Sequence, residues 1–131
     1  DSNGLMLALE KLVDTTRELY DVDGEFECPS VMKFDDNFTA TQMYRIAQEA
    51  VHNAVKHGKI KKITVRCCEE DDLLVIEVVD DGTGVPDDLD ATNGSGIRIM
   101  KYRARLIDAG LTINRGPNGG TIVRCTFNKR S

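Results

Sequence analysis

The stretch Leu73-Leu74-Val75-Ile76-Glu77-Val78-Val79-Asp80-Asp81-Gly82-Thr83-Gly84 decides how this chain is read. Apart from Glu77 it is apolar up to Asp80 and then turns into glycines, so it reads as a strand that ends on a carboxylate. Side chains alternate across a strand. Glu77 marks the outward side, which places 73, 75, 77 and 79 outside and Leu74, Ile76, Val78 and Asp80 inside. Asp80 therefore sits at the inner edge of an apolar layer, where a carboxylate needs hydrogen-bond donors. Two readings stand open. In one, Asp80 or Asp81 caps the turn by accepting from the Gly82 and Gly84 amides. In the other, Asp80 accepts from a ligand amino group. An adenine 6-amino group fits that role, with Val85 and Ile97 as apolar walls for the ring.

Upstream, Ile63, Val65 and Cys67 alternate with Thr64, Arg66 and Cys68, and Glu69-Glu70-Asp71-Asp72 is a charged turn. These residues and the Asp80 strand read as a hairpin. Downstream, a glycine-rich stretch from Asp81 to Gly96 leads to a helix from about Ser95 to Asp108, with Ile97, Met100, Ala104 and Ile107 inward. A second hairpin closes the chain, Leu111 to Arg115 and Thr121 to Phe127, turning at Gly116-Pro117-Asn118-Gly119-Gly120. Before the first hairpin lies a helix beginning near Thr39, with a Thr39–Gln42 capping box, a stripe of Met43, Ile46, Ala47, Ala50 and Ala54, and Gly58 as its C-cap. Residues 5–20 form an earlier helix on Leu5, Leu9, Leu12, Thr16 and Leu19. Gly24 breaks that pattern, and Glu25 to Cys28 alternate as a short strand stopped by Pro29. The whole reads as α+β: a two-layer sandwich whose mixed, mostly antiparallel sheet packs on three helices, rather than a Rossmann fold.

The chain has 131 residues, enough for one domain spanning 1–131. It carries 17 Lys+Arg against 22 Asp+Glu, a net charge of -5. That balance argues against sequence-blind binding to nucleic acid or to an anionic membrane, both of which need a basic face. No apolar run approaches the roughly 18 residues of a membrane span, and no signal peptide is visible. The opening at Asp1 reads as a piece cut from a longer protein. Cys28, Cys67, Cys68 and Cys125 lack metal-site spacing and read as small buried hydrophobes in a reducing cytoplasm.

Two further features carry chemistry. Glu49, Asn53 and His57 lie four apart along one helix face, with Lys56 beside them. That line holds a general base, an oxygen ligand for a hard cation and cations for phosphate; a plain solvated face has the same spacing. Gly94-Ser95-Gly96 opens the third helix, where unpaired N–H groups favour an anion. It is neither a Walker loop, since no GK[ST] follows, nor a dinucleotide G-x-G-x-x-G.

Taken in order, these segments resemble the ATP-binding catalytic domain of sensor histidine kinases, of the Bergerat fold shared with gyrase, mismatch-repair ATPases and heat-shock chaperones. Ile46 to His57 is similar to the family's N box, and Asp80-Asp81-Gly82-Thr83-Gly84 to its D-x-G-x-G box. Gly94 to Met100 is similar to its second glycine box, and Gly119-Gly120-Thr121 to the closing G-G-T. The run Gly96 to Ala104 looks most like the nitrate-sensor-type branch, with a short lid at about Val85 to Asn93. His52, Ile97 and Tyr102 depart from the usual residues of that branch, and none of the three removes a ligand.

The resemblance implies a role for each residue. Glu49 is the general base that readies or orients an attacking imidazole. Asn53 holds Mg²⁺, and Lys56 and His57 face the phosphates. Asp80 reads the adenine amino group; Gly82 and Gly84 let the backbone approach the base, and Val85 and Ile97 wall the ring. Gly94, Ser95 and Gly96 cradle phosphate, and Thr121 sits by the adenine-side water network. The implied reaction passes the γ-phosphoryl of ATP to a histidine on a separate dimerisation domain, with a response regulator downstream. Neither His52 nor His57 has the surroundings of a phosphoacceptor, so the fragment alone should not autophosphorylate. The domain is expected to be cytoplasmic and monomeric, its parent a homodimer, membrane-anchored or soluble. Two alternatives are an anti-sigma-type serine kinase of the same fold and a nucleotide-binding module without phosphotransfer.

Overall fold

The computed structural model of the chain describes residues 4–29, 34, 36–57, 59–82 and 95–130, with the side chain of residue 95 left aside. The first helix, α1, spans Gly4–Tyr20 and buries Leu5, Leu9, Val13 and Thr16. The helical period carries that stripe through Val13, so Leu12 sits on its flank, half-buried. Leu19, expected inside, lies on the same flank one helical repeat further on and is 68% exposed. Asp21, at φ 53°, then turns the chain into β1, Asp23–Glu27. Gly24 lies within this strand rather than breaking before it.

The second helix, α2, spans Asn37–His57. Its cap is not the expected Thr39–Gln42 box. Asp36 Oδ1 accepts from the Thr39 N–H at 3.2 Å, and the helix begins two residues earlier. Thr39 is buried, and Gln42 Oε1 instead accepts from Arg103. The stripe of Met43, Ile46, Ala47, Ala50 and Ala54 is buried as expected, together with Val51. The proposed C-cap, Gly58, lies outside the described residues.

The first hairpin is β2, Lys62–Glu70, and β3, Leu73–Asp80, paired from Ile63 with Asp80 to Glu70 with Leu73. The third helix, α3, covers Ser95–Leu106, and Asp108 at φ 54° follows it. Then come β4, Gly110–Arg115, and β5, Thr121–Asn128. The sheet order is β1-β2-β3-β5-β4. β1 runs parallel to β2, joined to it through α2, and the other neighbours are antiparallel. The fold is therefore an α/β sandwich with a mixed, mostly antiparallel sheet, as the sequence indicates.

The helix-facing side of the sheet buries Ile63, Val65, Cys67, Leu74, Ile76, Val78, Val123 and Cys125. Burial pushes the Cys125 thiol up to about 12 and raises that of Cys67 as well, so both act as core hydrophobes. Cys28 and Cys68 are half-buried. On the outer face Glu77 accepts from Arg66 and from Arg124, each at 2.9 Å, and Arg66 also bonds Glu27 at 2.7 Å. That face is not uniformly open: Val75, between Cys68 and Thr126 in register, is buried. No described helix is long and apolar enough to cross a membrane.

Candidate functional site

Strand parity carries β3 through Leu74, Ile76 and Val78 to Asp80, whose side chain faces inward and is only 9% exposed. Its Oδ1 accepts from the Gly82 N–H at 2.8 Å. Burial raises its pKa above the usual carboxylate value, while hydrogen bonds from the Gly82 and Thr121 backbone pull the other way without cancelling it. Thr121 opens β5 directly opposite Asp80. The turn before it presses on the same corner. Gly120 has φ 79°, and a Cβ there would stand 1.9 Å from the Asp80 carbonyl oxygen, so only glycine fits.

Asp81, one residue on, does something different. It is exposed, and its Oδ1 accepts from the backbone N–H of Lys61 at 2.8 Å and of Lys62 at 3.0 Å. These bonds hold its pKa below the usual value. The turn-cap reading thus divides: Asp80 takes the Gly82 amide, and Asp81 staples the start of β2.

A second polar cluster forms where α2 meets α3. Glu49 and Asn53 are half-buried on one face of α2. A Cβ on Gly96, in the first turn of α3, would lie 2.7 Å from Asn53 Oδ1 and 2.9 Å from Glu49 Oε2. The start of α3 is seated directly on the ends of the two side chains, which a Cβ here would push aside. Neither one hydrogen-bonds another described residue, and both lie beside the N–H groups of a helix start. The Asn53 oxygen suits Mg²⁺, which prefers oxygen ligands, while the N–H groups of the helix start suit phosphate. Lys56 and His57 are exposed in the last turn of α2 and make no ion pair among the described residues. Because α2 packs on β3, the two clusters stand on adjoining elements.

Of the other residues expected in the site, Ile97 is half-buried against the core, and Ser95 is placed by its backbone at the head of α3. Gly84, Val85 and Gly94, with the rest of the stretch from 83 to 94, lie outside the described residues. Sequence reasoning missed three contacts: the Asp81 staple, the steric demand at Gly120, and a hydrogen bond from Arg103 to the buried Gln42, 2.9 Å long, that ties α3 to α2. None of the three left a periodic trace, since each joins segments far apart in the chain.

Residues 39–131 match the family described as histidine kinase-, DNA gyrase B-, and HSP90-like ATPase. The nitrate/nitrite sensor protein NarX of Escherichia coli is 34% identical over 88 residues, covering 67% of this chain and 15% of its own length. The signal transduction histidine-protein kinase/phosphatase DegS of Bacillus subtilis is 32% identical over 131 residues, covering 94% of this chain and 34% of its own. The chain thus spans only a fraction of the curated relatives it matches. Among solved structures, the histidine kinase domain of the blue-light activated histidine kinase from Erythrobacter litoralis EL346 aligns with a TM-score of 0.77. That alignment covers 96% of this chain and 61% of that one at 23% identity, a likeness of fold. With the family match covering both polar clusters, and with sensor histidine kinases as its relatives, the chain belongs to the histidine kinase-, DNA gyrase B- and HSP90-like ATPases.

Proposed function

We propose that this chain is the ATP-binding catalytic domain of a sensor histidine kinase, one domain of a longer protein. The observation that carries the reading is Asp80: a carboxylate buried at the end of an apolar strand face, with its pKa raised. Such a group is costly to the fold and suits a ligand that offers a donor, here the 6-amino group of adenine. Gly82 and Gly84 let the backbone approach the base, Val85 and Ile97 flank the ring, and Thr121 supports the adenine side. Asn53 would hold Mg²⁺, whose charge would offset that of the phosphates. Gly94, Ser95 and Gly96 offer backbone N–H groups to the phosphates, with Lys56 and His57 as nearby cations. Glu49 takes the proton from, or orients, an imidazole whose nitrogen bonds the γ-phosphorus as ADP leaves; positioning and electrostatics do most of the work.

The imidazole comes from a separate dimerisation domain of the same kinase, and the phosphoryl then passes to a response regulator in the cytoplasm. Calorimetric titration with ATP and ADP tests the reading. Wild-type protein binds both in a Mg²⁺-dependent way, and Asn53→Ala loses that dependence. Absence of nucleotide binding by the wild type would sink the proposal. Glu49→Gln keeps binding and loses transfer to a supplied histidine-bearing domain.

A further inference from the structure

α2 and α3 run antiparallel, and a close approach and a hydrogen bond join them. At one end Gly96 is seated on Glu49 and Asn53. At the other, Arg103 NH1 donates to Gln42 Oε1 at 2.9 Å. From Gln42 to Glu49 is seven residues along α2, and from Gly96 to Arg103 is seven along α3. Seven residues are two turns, so each pair shares one helix face, about 10 Å apart at 1.5 Å per residue. The two contacts are therefore satisfied together in a single register. A slip of α3 by one turn, about 5 Å, would take Arg103 off Gln42 and Gly96 off Asn53 at once.

Apolar side chains fill the rest of those faces. Ile46 and Ala50 on α2, and Met100 and Ala104 on α3, are buried apolar residues, and their attraction is non-directional. The polar pair is also not placed where it would most stabilise the fold. Gln42 is 7% exposed, and Arg103 Nε is buried with no hydrogen-bond partner among the described residues. A part-buried polar pair adds only modest net stability, and a polar contact set among apolar ones can fix register.

We propose that Arg103 and Gln42 are positioning residues for the phosphate end of the site: their hydrogen bond sets the register in which the head of α3 meets Glu49 and Asn53. The inference rests on the ATP-site reading above. The adenine end stands on β3 and β5 at Asp80, and α3 reaches it only through Ile97. Loss of the pair should therefore weaken binding of the triphosphate more than binding of the nucleoside.

The test is the ratio of ATP to adenosine affinity, measured by titration with Mg²⁺ present. Arg103→Met keeps the apolar stem; it should lower ATP affinity about tenfold and adenosine affinity by no more than about twofold. Gln42→Leu, which leaves the guanidinium in place, should give the same selective loss and serves should Arg103→Met fail to fold. Gln42→Glu still offers the guanidinium an acceptor and should keep the wild-type ratio. Equal losses for ATP and adenosine mean a merely structural pair and overturn the proposal, as does unchanged ATP affinity in Arg103→Met. Failure of the wild type to bind ATP is a different result, one that removes the site reading itself.

Discussion

Asp80 and Asp81 are neighbours in sequence and opposites in structure. Asp80 closes the inner face of β3, is buried, and has its pKa raised by that burial. Asp81 falls on the other side of the alternation, is exposed, and has its pKa lowered by the Lys61 and Lys62 backbone N–H groups it bonds. One step of strand parity thus separates a carboxylate that burdens the fold from one that supports it. The pair shows that acidity near a glycine-rich turn says little until the face is known.

The harshest way to break this contrast is Gly120→Ala. The new Cβ would meet the Asp80 carbonyl oxygen at a φ of 79°, so β5 and the end of β3 must part. Positive-φ strain and a backbone clash together should cost about 2–4 kcal/mol, read from denaturant unfolding. Ordinary stability in this variant would show that the corner yields freely, and with it that Asp80 is not rigidly held.

Asp80→Asn is gentler on the fold and hard on the ligand. Under the ATP reading it should lower ATP affinity at least about a hundredfold, because a buried acceptor becomes a mismatched amide. Stability should move the other way. The folded pKa of Asp80 is raised above its ordinary 3.8, so ionisation costs the fold as pH rises through 3.8 to the folded value, and fully above it. The nucleotide-free variant should therefore melt no lower than wild type at pH 7, with the difference fading below pH 3.8. A clear loss of melting temperature at pH 7 would mean that the Gly82 and Thr121 bonds outweigh burial, and Asp80 would join Asp81 as a staple.

The inward line of Leu74, Ile76, Val78 and Asp80 was legible because period-two alternation is written along a single strand. The polar line Glu49–Asn53 was legible for the same reason at helical spacing. What could not be read was pairing between distant segments. Nothing in Glu25 to Cys28 tells that β1 lies parallel to β2, because strand direction depends on how the chain crosses through α2. Thr39 and Gln42 fit a capping box by spacing, yet both are buried and Asp36 caps instead. Leu19 obeyed a heptad, whereas the buried stripe keeps the helical period through Val13. The Gln42–Arg103 bond joins residues far apart in the chain, and a partner on another helix leaves no periodic mark. In each case local pattern fixed a face, and tertiary contact chose among the residues able to use it.

The smallest effect tests the other half of the comparison. Asp81→Ala removes an exposed acceptor of two backbone N–H bonds without touching the inner face, so ATP affinity should stay within about twofold of wild type. The loss should appear in stability, at about 1 kcal/mol near neutral pH, the usual scale for such bonds. Its pH dependence has the opposite sign to that of Asp80. The folded pKa of Asp81 lies below 3.8, so its contribution is fully present above 3.8 and is lost as pH falls through the folded value. Melting curves of wild type and variant should therefore converge on acidification because the wild type falls toward the variant. For Asp80→Asn they converge because the wild type sheds a burden. A wild type that gained on acidification relative to Asp81→Ala would mean that Asp81 is also strained, and parity would no longer separate the two carboxylates.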